Sequence, residues 1–280
     1  MPETPVHLSA RLERLDRILR ECESLLVGFS GGVDSSFLVA AASRALGERV
    51  VAATARSPLY AEFELANARE MARALGLRHI VFESNELHVD GFAENPVDRC
   101  YHCKISLFGE LREIADEEGL AHVAHAAQVD DLSDHRPGML AADELGVQAP
   151  LIEAGFTKAD VRAASRDWGL PTWDRPANAC LASRFPYGHR ISLAKLEQLA
   201  MVEDHLRAGG FAQCRVRHHG DTARIEVPPG DIPALAAAEA RGELARICRE
   251  AGFTWAALDL TGYRQGSMNE AIDLDGGQAG

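Results

Sequence analysis

Ser30-Gly31-Gly32-Val33-Asp34-Ser35-Ser36 stands between an apolar run, Leu25 to Phe29, and an apolar helical pattern, Phe37 to Leu46. A short buried strand, two consecutive glycines and a helix start present several unpaired backbone N–H groups, and the positive end of the helix dipole, to one point in space. Gly31 and Gly32 let an anion approach the backbone closely. The segment therefore reads as a phosphate cradle, and the protein as one that handles a nucleotide. The other reading is an ordinary glycine turn capped by Asp34 or Ser35. The whole string in a strand, loop, helix setting favours the nucleotide. The loop holds no lysine, so the Walker A pattern that grips β- and γ-phosphates is not met.

Outward from this loop, strands are expected at Leu25 to Phe29, Val50 to Ala55, His79 to Glu83 and His122 to Ala126. They alternate with expected helices at Asp34 to Leu46, Leu59 to Leu75 and Cys100 to Glu118. That order predicts an α/β fold with a parallel sheet covered on both faces. In such sheets ligands sit beyond the carboxyl ends of the strands, where the Ser30 loop lies. Leu8, Leu12, Leu15 and Leu19 recur at helical spacing, which predicts a leading amphipathic helix running to about Glu23. Thr157 is a candidate N-cap for a helix to Trp168, followed by the stop signals Gly169, Pro171 and Pro176 and then a loop carrying Cys180. From Ser192 the pattern changes to helix (192–207), two strands (214–217 and 223–227), helix (232–250) and strand (254–258), an α+β segment. The expected organisation is a nucleotide-binding domain over residues 1–188 and a smaller α+β domain over residues 189–280.

With 280 residues and 46% apolar composition the chain buries a sizeable core. Charges spread from Glu3 to Glu23, and no apolar run approaches the roughly 18 residues that span a bilayer, so no membrane partner and a cytoplasmic location are expected. A net charge of -13 argues against nucleic acid, because phosphate neutralisation supplies most non-specific affinity, and favours a small substrate. The six cysteines then read as reduced thiols or metal ligands rather than disulfides.

Arg99-Cys100-Tyr101-His102-Cys103-Lys104 puts two thiols three residues apart at an expected helix start, a setting that favours thiolate chemistry. The pair is incomplete as a zinc site, and redox activity or simple burial are its other readings. Cys180 lies in Pro176-Ala177-Asn178-Ala179-Cys180-Leu181-Ala182-Ser183-Arg184-Phe185-Pro186-Tyr187-Gly188, where Arg184 is placed to activate the thiol or to hold a substrate anion. Arg215 and Arg217, two apart in an expected strand, share a face and are candidates to grip a phosphate or carboxylate; a solvated strand edge is the alternative. Cys22, Cys214 and Cys248 sit in helix or strand patterns and read as structural.

The Ser30 loop resembles the SGGxDS loop of the ATP pyrophosphatases (PP-loop, adenine nucleotide alpha hydrolase-like enzymes). Read with Cys100, Cys103 and the Cys180 segment, the chain is similar to the LarE family, ATP-dependent sulfur transferases of nickel-pincer nucleotide cofactor synthesis. The same likeness runs through residues 133–138 (SDHRPG), 150–158 (PLIEAGFTK), 215–220 (RVRHHG), 223–227 (ARIEV) and 258–270 (LDLTGYRQGSMNE). It implies adenylation of a carboxylate of pyridinium-3,5-biscarboxylic acid mononucleotide, replacement of the activated oxygen by sulfur, and a homo-oligomer. It implies ATP held by Ser30, Gly31, Gly32, Val33, Asp34, Ser35 and Ser36, with Asp34 a ligand to Mg2+ directly or through water. Arg184, Arg215, Arg217, Glu203 and Glu226 would contact or orient the substrate.

For the sulfur donor the family divides. In one form the cysteine matching Cys180 gives up its own sulfur; in the other three cysteines hold a 4Fe-4S cluster with one open iron. The presence of Cys100, Cys103 and Cys180 favours the cluster. One departure stands out: Ala126-Ala127-Gln128-Val129-Asp130-Asp131 occupies the place where these enzymes often carry Gly-Thr-Asn before two aspartates. A tRNA thiolase, an amide-forming synthetase and a nucleotide-sensing protein without turnover are the competing classes.

Overall fold

The protein is described here by a computed structural model at residues 5–133, 138–176 and 179–264. Asp134 to Pro137, Ala177, Asn178 and Gln265 to Glu270, quoted above, lie outside the described residues.

The chain divides into two compact units, the first comprising Met1–Asp90 and Asp98–Asn178. Its strands are β1 (Leu25–Gly28), β2 (Val50–Arg56), β3 (Arg78–Glu83) and β4 (His122–Ala124). They pair in parallel in the order β3-β2-β1-β4. The helices are α1 (Pro5–Glu21), α2 (Val33–Leu46), α3 (Glu62–Ala74), α4 (Arg99–Glu117), α5 (Gly138–Glu144), α6 (Pro150–Ala154) and α7 (Lys158–Asp167). Side chains alternate across a strand, so one sheet feeds two cores. Leu25, Val27, Val50 and Ala52 pack with Leu19, Phe37, Phe156 and Val161, from α1, α2, α7 and the turn before α7. Leu26, Val51 and Ala53 pack with Leu107, Phe108 and Leu111 of α4 and with Ala141 of α5. Cover on both faces is why β1 is an unbroken apolar run. The strand order reverses between β1 and β4, which puts the loop after β1 at the switch point where α/β sheets open a crevice.

The second unit comprises Gly91–Val97 and Ala179–Gly280. It contains α8 (Leu193–Ala208), β5 (Arg215–His219), β6 (Thr222–Glu226), α9 (Ile232–Ala236), α10 (Ala238–Glu250) and β7 (Trp255–Leu258). β6 pairs antiparallel with β5 and parallel with β7. Leu196, Leu199, Val202 and Leu206 of α8 are buried at helical spacing, as are Val216 and Ile225 of the sheet. The short segment 91–97 joins this unit through hydrogen bonds: Gly188 N–H donates to Asn95 O at 2.8 Å and Ile191 N–H to Ala93 O at 2.8 Å. The fully buried Asn95 side chain donates to Pro186 O at 2.7 Å. The Cys180 loop, attached to the nucleotide-binding domain in the sequence reading, groups with this second unit; Arg184 ties it there through a buried ion pair with Glu203.

Two local differences have physical causes. The single helix expected over residues 232–250 is broken at Ala237, whose backbone is extended (φ -56°, ψ 146°). The surrounding Ala-Ala-Ala-Glu-Ala run consists of helix formers, so propensity carries no trace of the break. The sequence pattern gives no sign of α5 and α6; α6 starts on Pro150, a residue suited to a first turn, yet it is too short to show a period.

Candidate active site

The loop after β1 folds as a nest. Ser30 Oγ lies 3.1 Å from Ser35 Oγ and accepts from Gly32 N–H at 3.3 Å, while Ser35 Oγ accepts from Ser30 N–H at 3.3 Å. Gly31 adopts φ +71°, and a Cβ there would meet Ala68 N and Cα of α3 at 2.9 Å, so only glycine fits. Gly32 has an ordinary φ of -77° and is the N-cap of α2, which no side chain caps. The first N–H groups of a 14-residue helix thus remain open to an anion. Val33 is buried in the core, so its part in such a site is its backbone alone. Ser36 Oγ is buried with no partner among the described residues.

The cation that the loop lacks arrives from far along the chain. Lys158 Nζ lies 2.5 Å from Asp34 Oδ2. Arg175 Nη1 donates to Gly31 O at 3.3 Å. Lys158 is the first residue of α7, whose N-cap Thr157 forms a capping box with Asp160, and Arg11 holds Asp160 Oδ2 at 2.7 Å. Lys158 N–H also donates to Asp130 Oδ2 at 2.7 Å. Asp34 Oδ1 is buried and has no partner among the described residues. A carboxylate oxygen left open beside an uncapped helix start fits a hard divalent cation such as Mg2+.

Sequence reasoning did not single out Lys158 or Arg175. The missing Walker lysine and the Thr157-Lys158 helix start were the available signals for Lys158. Gln128, in place of asparagine, closes the turn before the aspartate pair: its Oε1 accepts from Asp130 N–H at 2.9 Å and its N–H donates to Asp131 Oδ2 at 3.0 Å.

Cys100 and Cys103 lie in the first turns of α4, one exposed and one buried, at a spacing that puts them on one face. The Arg99 guanidinium stands 3.9 Å from Cys100 Sγ. These two thiols belong to the first unit and Cys180 to the second. Among the described residues no group of three or more His, Cys, Asp or Glu side chains is placed to hold a metal ion.

In the second unit, half-buried Cys180 precedes a single 3-10 turn, Leu181–Arg184. Arg184 is 1% exposed and forks onto Glu203, Nε to Oε1 at 2.8 Å and Nη2 to Oε2 at 3.1 Å. Arg217 forks onto Glu226 Oε2 from Nε at 3.1 Å and Nη2 at 2.8 Å. Glu203, 0% exposed, also accepts from Val216 N–H at 3.0 Å and from Arg207 at 2.6 Å. Burial alone would raise its carboxyl, but the Arg184 guanidinium outweighs it and holds Glu203 below the ordinary carboxylate range. Burial likewise opposes the charge on Arg184, and Glu203 more than offsets it. Arg215 is pulled down by burial and then by repulsion from Arg184; its Nη1 donates to Cys214 O at 2.8 Å and its guanidinium lies 5.2 Å from the Tyr263 ring. Both strand arginines are buried, so the solvated-edge reading of Arg215 and Arg217 does not hold. Cys22, Cys214 and Cys248 are buried, and burial raises all three thiols, Cys214 to about 12 and Cys248 to about 11, as suits structural residues.

The asparagine synthase family pattern matches residues 15–95, the stretch holding β1, the nest, β2 and β3. The uncharacterised protein slr1717 of Synechocystis sp. is 39% identical over 265 residues, covering 95% of this chain and 99% of that protein. The pyridinium-3,5-bisthiocarboxylic acid mononucleotide synthase of Lactiplantibacillus plantarum is 34% identical over 266 residues, covering 95% and 96%. The tRNA-specific 2-thiouridylase MnmA of Xanthobacter autotrophicus is 29% identical over 193 residues, or 54% of this chain and 49% of that protein.

Proposed function

This chain belongs to the LarE family, that of the pyridinium-3,5-bisthiocarboxylic acid mononucleotide synthase, and on that premise we propose that it adenylates the carboxylates of pyridinium-3,5-biscarboxylic acid mononucleotide with ATP and converts them to thiocarboxylates. The observation that carries the reading is the uncapped start of α2 above a nest flanked by Lys158 and Asp34. A carboxylate resists nucleophiles because it is already negative and would have to expel oxide. Its attack on the α-phosphorus of ATP breaks the bond to the bridging oxygen, releases pyrophosphate and leaves an acyl-adenylate whose leaving group is AMP. The N–H groups of Gly31 and of Val33 to Ser35, at the uncapped start of α2, with the Ser30 and Ser35 hydroxyls, are the donors for the departing pyrophosphate, and Lys158 adds a positive charge. Asp34, through its open Oδ1, would hold Mg2+, which when bound screens the phosphate charge. A sulfur nucleophile then adds to the acyl carbon and AMP leaves.

For the sulfur we propose Cys180 together with Cys100 and Cys103 as ligands of a 4Fe-4S cluster, which when bound supplies an open iron able to carry sulfide. Two thiols on one face of α4 support this. The second reading is Cys180 as a consumed donor: Sγ attacks the acyl carbon, AMP departs, then the Cβ–Sγ bond breaks with loss of the Hα proton, leaving dehydroalanine and the thiocarboxylate. The dedicated turn that carries Cys180 favours it. The second unit serves substrate binding and oligomer assembly in this proposal, with the protein cytoplasmic and homo-oligomeric. A net charge of -13 weighs against the tRNA thiolase reading.

The test is one anaerobic preparation given ATP, Mg2+ and the dicarboxylate. We expect dicarboxylate-dependent pyrophosphate release, thiocarboxylate product, and bound iron and acid-labile sulfide. No dicarboxylate-dependent pyrophosphate overturns the activity. Product from iron-free protein, with Cys180 found by mass spectrometry as dehydroalanine, replaces the cluster by the consumed cysteine.

A further inference from the structure

Arg184 and Arg217 are, by sequence, candidate substrate grips, yet their hydrogen bonds run to the protein. Arg184 Nη1 donates to Ala179 O at 2.7 Å, to Cys180 O at 3.2 Å and to Ser183 Oγ at 2.9 Å. Its other two nitrogens are held by Glu203. Arg217 Nη1 donates to Ser183 O at 3.0 Å while Nε and Nη2 are held by Glu226. Ser183 closes the turn, its N–H and Oγ reaching Cys180 O at 3.0 and 2.8 Å. Three carbonyls of the short segment 179–183 thus accept from two guanidinium groups, each anchored by a glutamate that is at most 1% exposed. Glu203 stands on α8 and Glu226 on β6, so the turn is bonded to two regular elements of its own unit.

We propose that Arg184 and Arg217 are positioning residues: with Glu203 and Glu226 they staple the Cys180 turn in one conformation, so that the thiol is presented in a fixed direction, and they do not themselves bind the substrate anion. A planar guanidinium serves here because it spans a carboxylate on one edge and backbone carbonyls on another at the same time. A lysine ammonium keeps the charge but cannot make both sets of bonds. The inference rests on the sulfur-transfer reading above, yet the staple is measurable without the reaction.

Arg184→Lys and Arg217→Lys are the test variants, each compared with the wild-type protein for thermal unfolding, amide exchange, and the two half-reactions. Amide exchange over residues 179–186 is expected to rise at least about tenfold in each variant while α8 and β5 stay protected; unchanged exchange overturns the staple whatever the enzyme does. Sulfur transfer per adenylate is expected to fall about 100-fold, the scale of a reacting atom misplaced by an ångström, with KM for the dicarboxylate in pyrophosphate release within about twofold. A KM raised tenfold or more, with sulfur transfer per adenylate intact, assigns these arginines to the substrate and overturns the proposal. Should wild-type protein release no pyrophosphate, the function fails, while the exchange result still decides the staple.

Discussion

Asp34 shows how one side chain divides its work. Oδ2 meets Lys158, and Oδ1 is buried with no partner among the described residues. An orphaned buried carboxylate oxygen costs about 1–3 kcal/mol, a cost that a bound cation would relieve. Asp34→Ala is expected to abolish pyrophosphate release, because the residue that holds Mg2+ in our reading is gone. Lys158→Met is expected to raise KM for ATP about 10- to 100-fold, the value of one charge-assisted hydrogen bond at about 1.5–3 kcal/mol, with the melting curve little changed. Wild-type KM in Lys158→Met would remove the lysine from the phosphate site. The strand, glycine loop and helix start around Asp34 were legible in the sequence because a turn of this kind is a local object. Lys158 and Arg175 were not: they meet the loop across sequence separations of 124 and 144 residues, and nothing in a linear pattern reports such a meeting.

Among the elements, α7 links stability to the site most directly. Thr157 accepts from Asp160 N–H at 3.3 Å, and Asp160 returns a bond to Thr157 N–H at 2.8 Å, which sets the entry angle of the helix. Lys158 follows immediately, so the cap also aims the lysine at Asp34. Thr157→Ala is expected to cost about 1 kcal/mol in denaturant unfolding and to raise KM for ATP as well. A pure stability loss with unchanged KM would show that the lysine is placed by other contacts. The cap and the stop at Gly169 were readable from residue type, since both are one-turn effects. The split of the last long helix at Ala237 was not, because alanine-rich sequence is equally content on either side of a break.

At the scale of the whole molecule, His125 couples the sheet to pH. It follows β4, its Nε2 is buried without a partner among the described residues, and burial, then the nearby Lys104 charge, lowers its pKa from 6.5 to about 4. The unfolded chain therefore binds the proton that the native state refuses between about pH 4 and 6.5. Stability rises with pH across that window and is lost as pH falls through it, by up to about 3 kcal/mol from this residue. His79, His218 and His219 are lowered as well and act in the same direction. Denaturant unfolding of wild type and His125→Asn between pH 4 and 7 isolates the contribution: the variant is expected to show the shallower slope, and equal slopes would refute the assignment. The division of labour between chain and fold follows from range. Residue order alone dictated the parallel sheet, its two-sided cover and the anion nest, because strand periodicity, helix starts and glycine turns act over a few neighbouring residues. Folding in three dimensions brought Lys158 to Asp34, moved the Cys180 loop into the C-terminal unit and turned Arg184 and Arg217 inward onto Glu203 and Glu226. A buried charge must find its counter-charge wherever the chain happens to return, and that address is written in tertiary packing rather than in spacing.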